Sequence, residues 1–164
     1  MKPTAYIETS VISYLTARPS RDVVVAAYQE ITREWWRDAP DRFALVASAL
    51  VVAEAGAGDK DTAHSRMMAL EGVALLDATL DAEELTRNLL DFGTLPRQAV
   101  DDAAHIAIAV TNGVDYLVTW NFRHIANAAM RGRIERVCRE SGYEPPVICT
   151  PNELMEADRA DNAD

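Results

Sequence analysis

Cysteine, lysine, glycine-rich turns and long apolar runs are all scarce in this chain, and each scarcity removes a class of protein. The two cysteines, Cys138 and Cys149, stand apart without the paired spacing of a zinc site or a redox motif. A disulfide scaffold is thereby excluded, and both thiols are expected to be reduced and buried. No apolar run approaches the roughly 20 residues that cross a bilayer. One lysine precedes the first strand with no apolar signal core, so the expectation is a cytoplasmic protein. Lys2 and Lys60 are the only lysines. Neither follows a late strand, as phosphotransfer enzymes built on a strand-end Asp require. No glycine-rich turn follows the first strand, which disfavours a dinucleotide-binding enzyme. Positive charge is also short: 16 Lys and Arg face 26 Asp and Glu, a net charge of -10. That balance opposes broad electrostatic capture of nucleic acid. Acids gathered to hold a cation would form part of the same surplus.

What is present is a body large enough for a core. A chain of 164 residues that is 49% hydrophobic suits one domain, expected over residues 1-150. Residues 151-164 read as an acidic, flexible tail. Strand and helix patterns alternate. Short apolar strands are expected near Ala5 to Ile7, Phe43 to Ala47, Val73 to Leu76, Tyr116 to Thr119 and Val147 to Cys149. Helices are expected after Thr9 or Ser10, over Asp22 to Arg37, after Ser48, over Asp61 to Leu70, Asp81 to Leu90, Pro96 to Asn112 and Gly132 to Ser141. This alternation predicts an α/β fold, a three-layer sandwich around a mostly parallel sheet of four to five strands. In such folds ligands bind beyond the carboxyl ends of the strands.

That rule draws attention to a few oxygens. The first strand runs straight into Glu8-Thr9-Ser10, and the strand at Tyr116 runs into Thr119-Trp120-Asn121. Asp102 sits one turn into an apolar helix, with Ile106 and Ala109 at i+4 and i+7, so its carboxylate leans toward the apolar face and needs a partner. Glu54 closes the run Ala49-Leu50-Val51-Val52-Ala53. Hard divalent cations such as Mg²⁺ and Mn²⁺ take oxygen ligands of this kind, from separate elements. Each residue also has an ordinary reading: Glu8 as a surface acid ending a strand, Glu54 as a charged helix end, Asp102 as an acid favoured by the helix dipole, Asn121 as a turn residue. The two strand-end positions point the same way in a parallel sheet, and that raises the functional reading.

Other residues carry weaker signals. His105 lies one turn beyond Asp102 and reads as a packed or capping histidine, and His124 as a loop residue. Trp35-Trp36 reads as core and partner surface. Arg131, Arg133, Arg136 and Arg139 form a loose basic stripe, either phosphate-contacting or a solvated face balanced by Glu135 and Glu140.

Taken in order, the strand with Glu8-Thr9-Ser10, the segment Ser48 to Glu54, Asp102-Ala103-Ala104-His105-Ile106-Ala107 and Leu117-Val118-Thr119-Trp120-Asn121 resemble the PIN domain, more narrowly the VapC-type toxins of bacterial toxin–antitoxin pairs. The resemblance covers about residues 4 to 150. It implies a metal-dependent ribonuclease using Mg²⁺ or Mn²⁺, with Glu8, Glu54, Asp102 and Asn121 as metal-binding and catalytic positions and Thr9, Ser10 and Thr119 as supporting hydroxyls. It implies RNA as substrate, a cognate antitoxin and a homodimer, with no membrane partner. Two departures stand out: Glu8 where the family usually has Asp, and neutral Asn121 where it often has Asp. They keep open an alternative, a non-catalytic or attenuated module of PIN-like fold that binds RNA or protein.

Overall fold

A computed structural model describes residues 1–155. Along the chain lie β1 (Thr4–Ile7), α1 (Thr9–Thr16), α2 (Val23–Arg42), β2 (Ala44–Ser48), α3 (Ala49–Ala55), α4 (Lys60–Ala69) and β3 (Ala74–Leu76). They are followed by α5 (Leu80–Asp91), α6 (Val100–Thr111), β4 (Tyr116–Val118), α7 (Ala128–Glu140) and β5 (Val147–Cys149). The five strands form one sheet in the order β3-β2-β1-β4-β5, every pair parallel. Helices cover it, giving the expected α/β/α sandwich. Among the described residues no helix is long and apolar enough to cross a membrane.

The strand order follows from composition. β1 is central and buried on both faces, so Ala5, Tyr6 and Ile7 are all apolar or aromatic rather than alternating. The chain builds outward from β1 through β2 to β3. It then returns to β1's other side with β4 and β5. The reversal lies between β1 and β4, where Ala5 pairs with Tyr116 and Ile7 with Val118. A crevice opens at such a reversal, beyond the strand carboxyl ends.

α6 is the element that brings chemistry to that crevice. Ala103, Ile106, Ala107 and Val110 recur on one face and are buried, while Asp101 stays exposed. Burying a side chain such as Ile106 contributes roughly 2 kcal/mol. The helix ends in a Schellman turn: the Gly113 amide donates to the Val110 carbonyl and the Val114 amide to that of Ala109, with Gly113 at φ +65°. Only glycine takes that conformation cheaply. The turn sends the chain directly into β4.

Three boundaries differ from the sequence reading by several residues. α2 continues past Arg37 and through Pro40 because Trp35 and Ala39 are buried and hold its last turns on the core. α6 starts at Val100, and Pro96 instead makes a turn in which the Ala99 amide donates to its carbonyl. α7 starts at Ala128 rather than Gly132, capped by the Asn127 side chain on the Ala129 amide. At the far end, residues 151–155 are helical and Leu154 is buried, so packing continues past residue 150. The rest of the expected tail lies outside the described residues.

Candidate functional site

The crevice between β1 and β4 is closed by Glu8. Its backbone extends β1 by one more bond, from its amide to the Val118 carbonyl at 3.1 Å. Its side chain then turns back as the N-cap of α1: Oε2 accepts from the Ser10 amide at 3.1 Å, from the Ser10 hydroxyl, and from the Thr119 hydroxyl at 2.8 Å. Glu8 is only 5% exposed. A carboxylate so deeply placed needs these donors, and the positive end of α1 adds to them. Cap position therefore falls on Glu8, one residue before the expected Thr9 and two before Ser10. Ser10 is used twice, since its Oγ also accepts from the Trp120 amide at 2.8 Å.

Glu54 lies beside it through Thr9, whose hydroxyl donates to Glu54 Oε1 at 2.7 Å. The same oxygen meets His105 Nε2 at 2.5 Å. The other ring nitrogen of His105 is 2.8 Å from the Tyr6 hydroxyl, which is 2.8 Å from Ser48 Oγ. Ser48 also caps α3 by accepting from the Val51 amide. A neutral His105 with its proton on Nε2 satisfies the whole chain: Ser48 donates to Tyr6, Tyr6 to His105, and His105 to Glu54. Burial by itself would raise the Glu54 pKa. The bonds from His105 and Thr9 outweigh it and hold the carboxyl below its ordinary value. Burial pushes the Tyr6 phenol well above its ordinary value, so it stays protonated as a relay in this chain.

Asp102 occupies a third position on the same edge. Oδ1 accepts from Asn121 Nδ2 at 2.9 Å, and Oδ2 faces His124 Nδ1 at 2.6 Å. Asn121 also accepts from the His124 amide at 3.1 Å through Oδ1, and its own amide donates to Thr119 Oγ1 at 2.9 Å. Thr119 thus bonds both Glu8 and Asn121. Of the sequence-predicted residues, Glu8, Ser10, Thr119, Asn121 and Asp102 consequently form one hydrogen-bonded run, and Thr9 and Glu54 belong to a second that meets the first at the Glu8–Thr9 peptide bond. They are neighbours in a line, not ligands around a point.

That distinction bears on a cation. Among the described residues, no group of three or more His, Cys, Asp or Glu side chains converges where an ion could be held. Asp102 uses both oxygens internally. By contrast, Glu8 Oε1 and Glu54 Oε2 accept no bond among the described residues. The donors are hard oxygens, the chemistry Mg²⁺ and Mn²⁺ prefer. Mg²⁺ is commonly anchored by one or two carboxylates with waters and substrate phosphate completing its shell, rather than caged by protein alone. The residues fit that mode, with Glu8 and Glu54 as the anchors, and do not fit a preformed cage of three acids.

Sequence reasoning undervalued both histidines and passed over Tyr6. His105 stands inside His-Ile-Ala-Ile-Ala-Val, where burial was readable; a buried imidazole then demands partners on both nitrogens. His124 lies three residues past Asn121, close enough to fold back on the helix acid. A scan against protein-family models finds no match for this chain, and no curated protein matches it.

Proposed function

We propose that this chain is a divalent-metal-dependent ribonuclease of PIN type, the toxin of a toxin–antitoxin pair, which hydrolyses phosphodiester bonds at the β1/β4 crevice. The observation that carries the reading is that Glu8, Glu54 and Asp102, from three separate elements, meet at the carboxyl edge of a parallel sheet: Asp102 is tied to Glu8 through Asn121 and Thr119, and Glu54 is bonded to Thr9, the residue after Glu8. A packing role alone gives no reason to gather three carboxylates where the fold places its crevice.

Glu8 and Glu54 would hold Mg²⁺ or Mn²⁺ through their unbonded oxygens. A cation there supplies positive charge against the scissile phosphate and a more acidic water. The chain's own residues do the rest. Ser10 and Thr119 fix the Glu8 rotamer, and His105 and Thr9 fix Glu54 and keep it ionised. Asn121 and His124 orient Asp102, whose negative charge lies at the far end of the line. Such preorganisation is where active sites gain most of their rate. The cognate antitoxin, a homodimer and a cytoplasmic setting belong to the same proposal.

A second reading, an attenuated binding module, draws on Asp102 having both oxygens engaged and on Asn121 bringing no charge. Cleavage separates the two. Incubating a mixed structured RNA pool with Mg²⁺, Mn²⁺ or EDTA should give cutting that needs the metal and is lost in Glu8→Gln. RNA that is bound but never cut would favour the binding module. Cutting that survives Glu8→Gln would remove the proposed site.

A further inference from the structure

Beside the acids lies an aromatic stack that the cleavage chemistry leaves unused. Tyr28 of α2 stacks on Trp120 with ring centroids 4.4 Å apart, and Tyr14 of α1 approaches Trp120 at 6.1 Å. Trp120 is buried and pinned, its Nε1 donating to the buried Thr32 hydroxyl at 2.8 Å. Phe122 ends the stack, 5.7 Å from Tyr28 and 6.0 Å from Trp120, yet remains 45% exposed. Arg123 follows it, also exposed, with no ion pair among the described residues.

We propose that Phe122 and Arg123 form a docking shelf in which the Phe122 ring stacks on one unpaired base of the RNA and Arg123 takes its phosphate. The inference rests on the nuclease reading for the phosphate that lies next to the acids. The shelf is braced rather than floppy. Asn127 Nδ2 donates to the carbonyls of Phe122 and Arg123 at 3.1 and 3.3 Å, while the amides of Ile125 and Ala126 donate to the Asn121 carbonyl. Holding a large ring open to water on a rigid turn forgoes the stabilisation its burial would give. A second aromatic plane arriving from solvent recovers it. Bases present such a plane only when unpaired, and a duplex keeps its bases stacked on each other. Arg123 adds a cation beside the ring in a chain whose net charge is -10, which suits a backbone phosphate. The residue immediately before Phe122 is Asn121, which bonds Asp102, so the shelf begins one residue from the acidic line.

Fluorescence anisotropy with a labelled single-stranded oligoribonucleotide in EDTA, against a duplex of the same sequence, tests this without cleavage. The parent should prefer the single strand. Phe122→Ala should weaken binding about tenfold or more, the range one base–aromatic stack supplies. Phe122→Trp should restore it and Phe122→Leu should not. Unchanged affinity in Phe122→Ala overturns the shelf, and metal-dependent cutting by the parent would then leave the nuclease reading intact. A Trp variant as weak as the Ala variant, with native circular dichroism, also overturns it. A parent that neither binds nor cuts RNA overturns both.

Discussion

Two acid–histidine pairs lie on one edge of the sheet and are built in opposite ways. In the first, Glu54 meets a histidine that is 0% exposed, and His105 spends its second nitrogen on Tyr6, which continues the chain to Ser48. In the second, Asp102 meets His124, whose ring is 17% exposed and whose Nε2 has no partner among the described residues. The same two functional groups therefore serve different ends. An enclosed histidine with both nitrogens bonded is a structural brace that fixes one oxygen of Glu54 and holds β1, β2 and α6 together, while the carboxylate itself stays 33% exposed. A histidine with one nitrogen unbonded keeps bonding capacity in reserve at the surface where a substrate arrives. Buried polar groups are costly to leave unmatched, so loss of His105 should register in stability and loss of His124 in activity.

The sharpest way to break the comparison is to delete each imidazole. His105→Ala leaves a cavity where a fully buried ring stood and takes a partner from the buried Tyr6 hydroxyl, and should cost about 3 kcal/mol or more. For a chain of this size that lowers Tm by roughly 6 to 12 °C. His124→Ala should cost less than about 1 kcal/mol, with cleavage falling instead. Equal losses of Tm would dissolve the distinction. Next in size, Asn121→Asp replaces the amide donor on Asp102 with a second carboxylate. Thermal melts in EDTA should show a loss of roughly 1–2 kcal/mol, recovered when Mn²⁺ is added, because a cation between like charges removes their repulsion. A melt insensitive to Mn²⁺ would mean that no ion enters there. Tyr6→Phe sharpens the account of the buried relay. Removing one hydroxyl from between Ser48 and His105 leaves the buried Nδ1 of His105 without a partner and should cost roughly 1–2 kcal/mol in urea unfolding.

The smallest effect is a pH slope. Glu54 titrates below its unfolded value, so it stabilises the fold above that value, about 4.3, and this contribution is lost as pH falls through the lower folded value. Urea midpoints followed downward from pH 5 should fall less steeply in Glu54→Gln than in the parent. An identical slope would show that His105 and Thr9 do not hold the carboxyl as described.

Much of the fold is written in short-range signals. Strands buried on both faces read as unbroken apolar runs, as in Ala5-Tyr6-Ile7, and Gly113 marks the end of α6 because only a left-handed residue completes its turn. The carboxyl-edge rule then brings Glu8 and Asn121 to one place. What escaped was whatever depends on tertiary packing. Pro40 argues locally for a helix end, yet the burial of Trp35 and Ala39 carries α2 past it. His105 and Tyr6 are 99 positions apart, and nothing near either residue announces the other. The pairing of Asp102 with His124 needs the Schellman turn, β4 and the following loop all in place before it exists. Residue types at the site were legible, and their partners were not.

If Glu8 and Glu54 hold one cation between them, removing either carboxylate should release it. The most direct test is a Mn²⁺ titration followed by electron paramagnetic resonance, on the parent, Glu8→Gln and Glu54→Gln, each with and without a hydrolysis-resistant single-stranded RNA. The parent should bind Mn²⁺, more tightly with RNA present, and either substitution should weaken binding at least tenfold. Mn²⁺ binding equal in all three proteins would contradict a shared site.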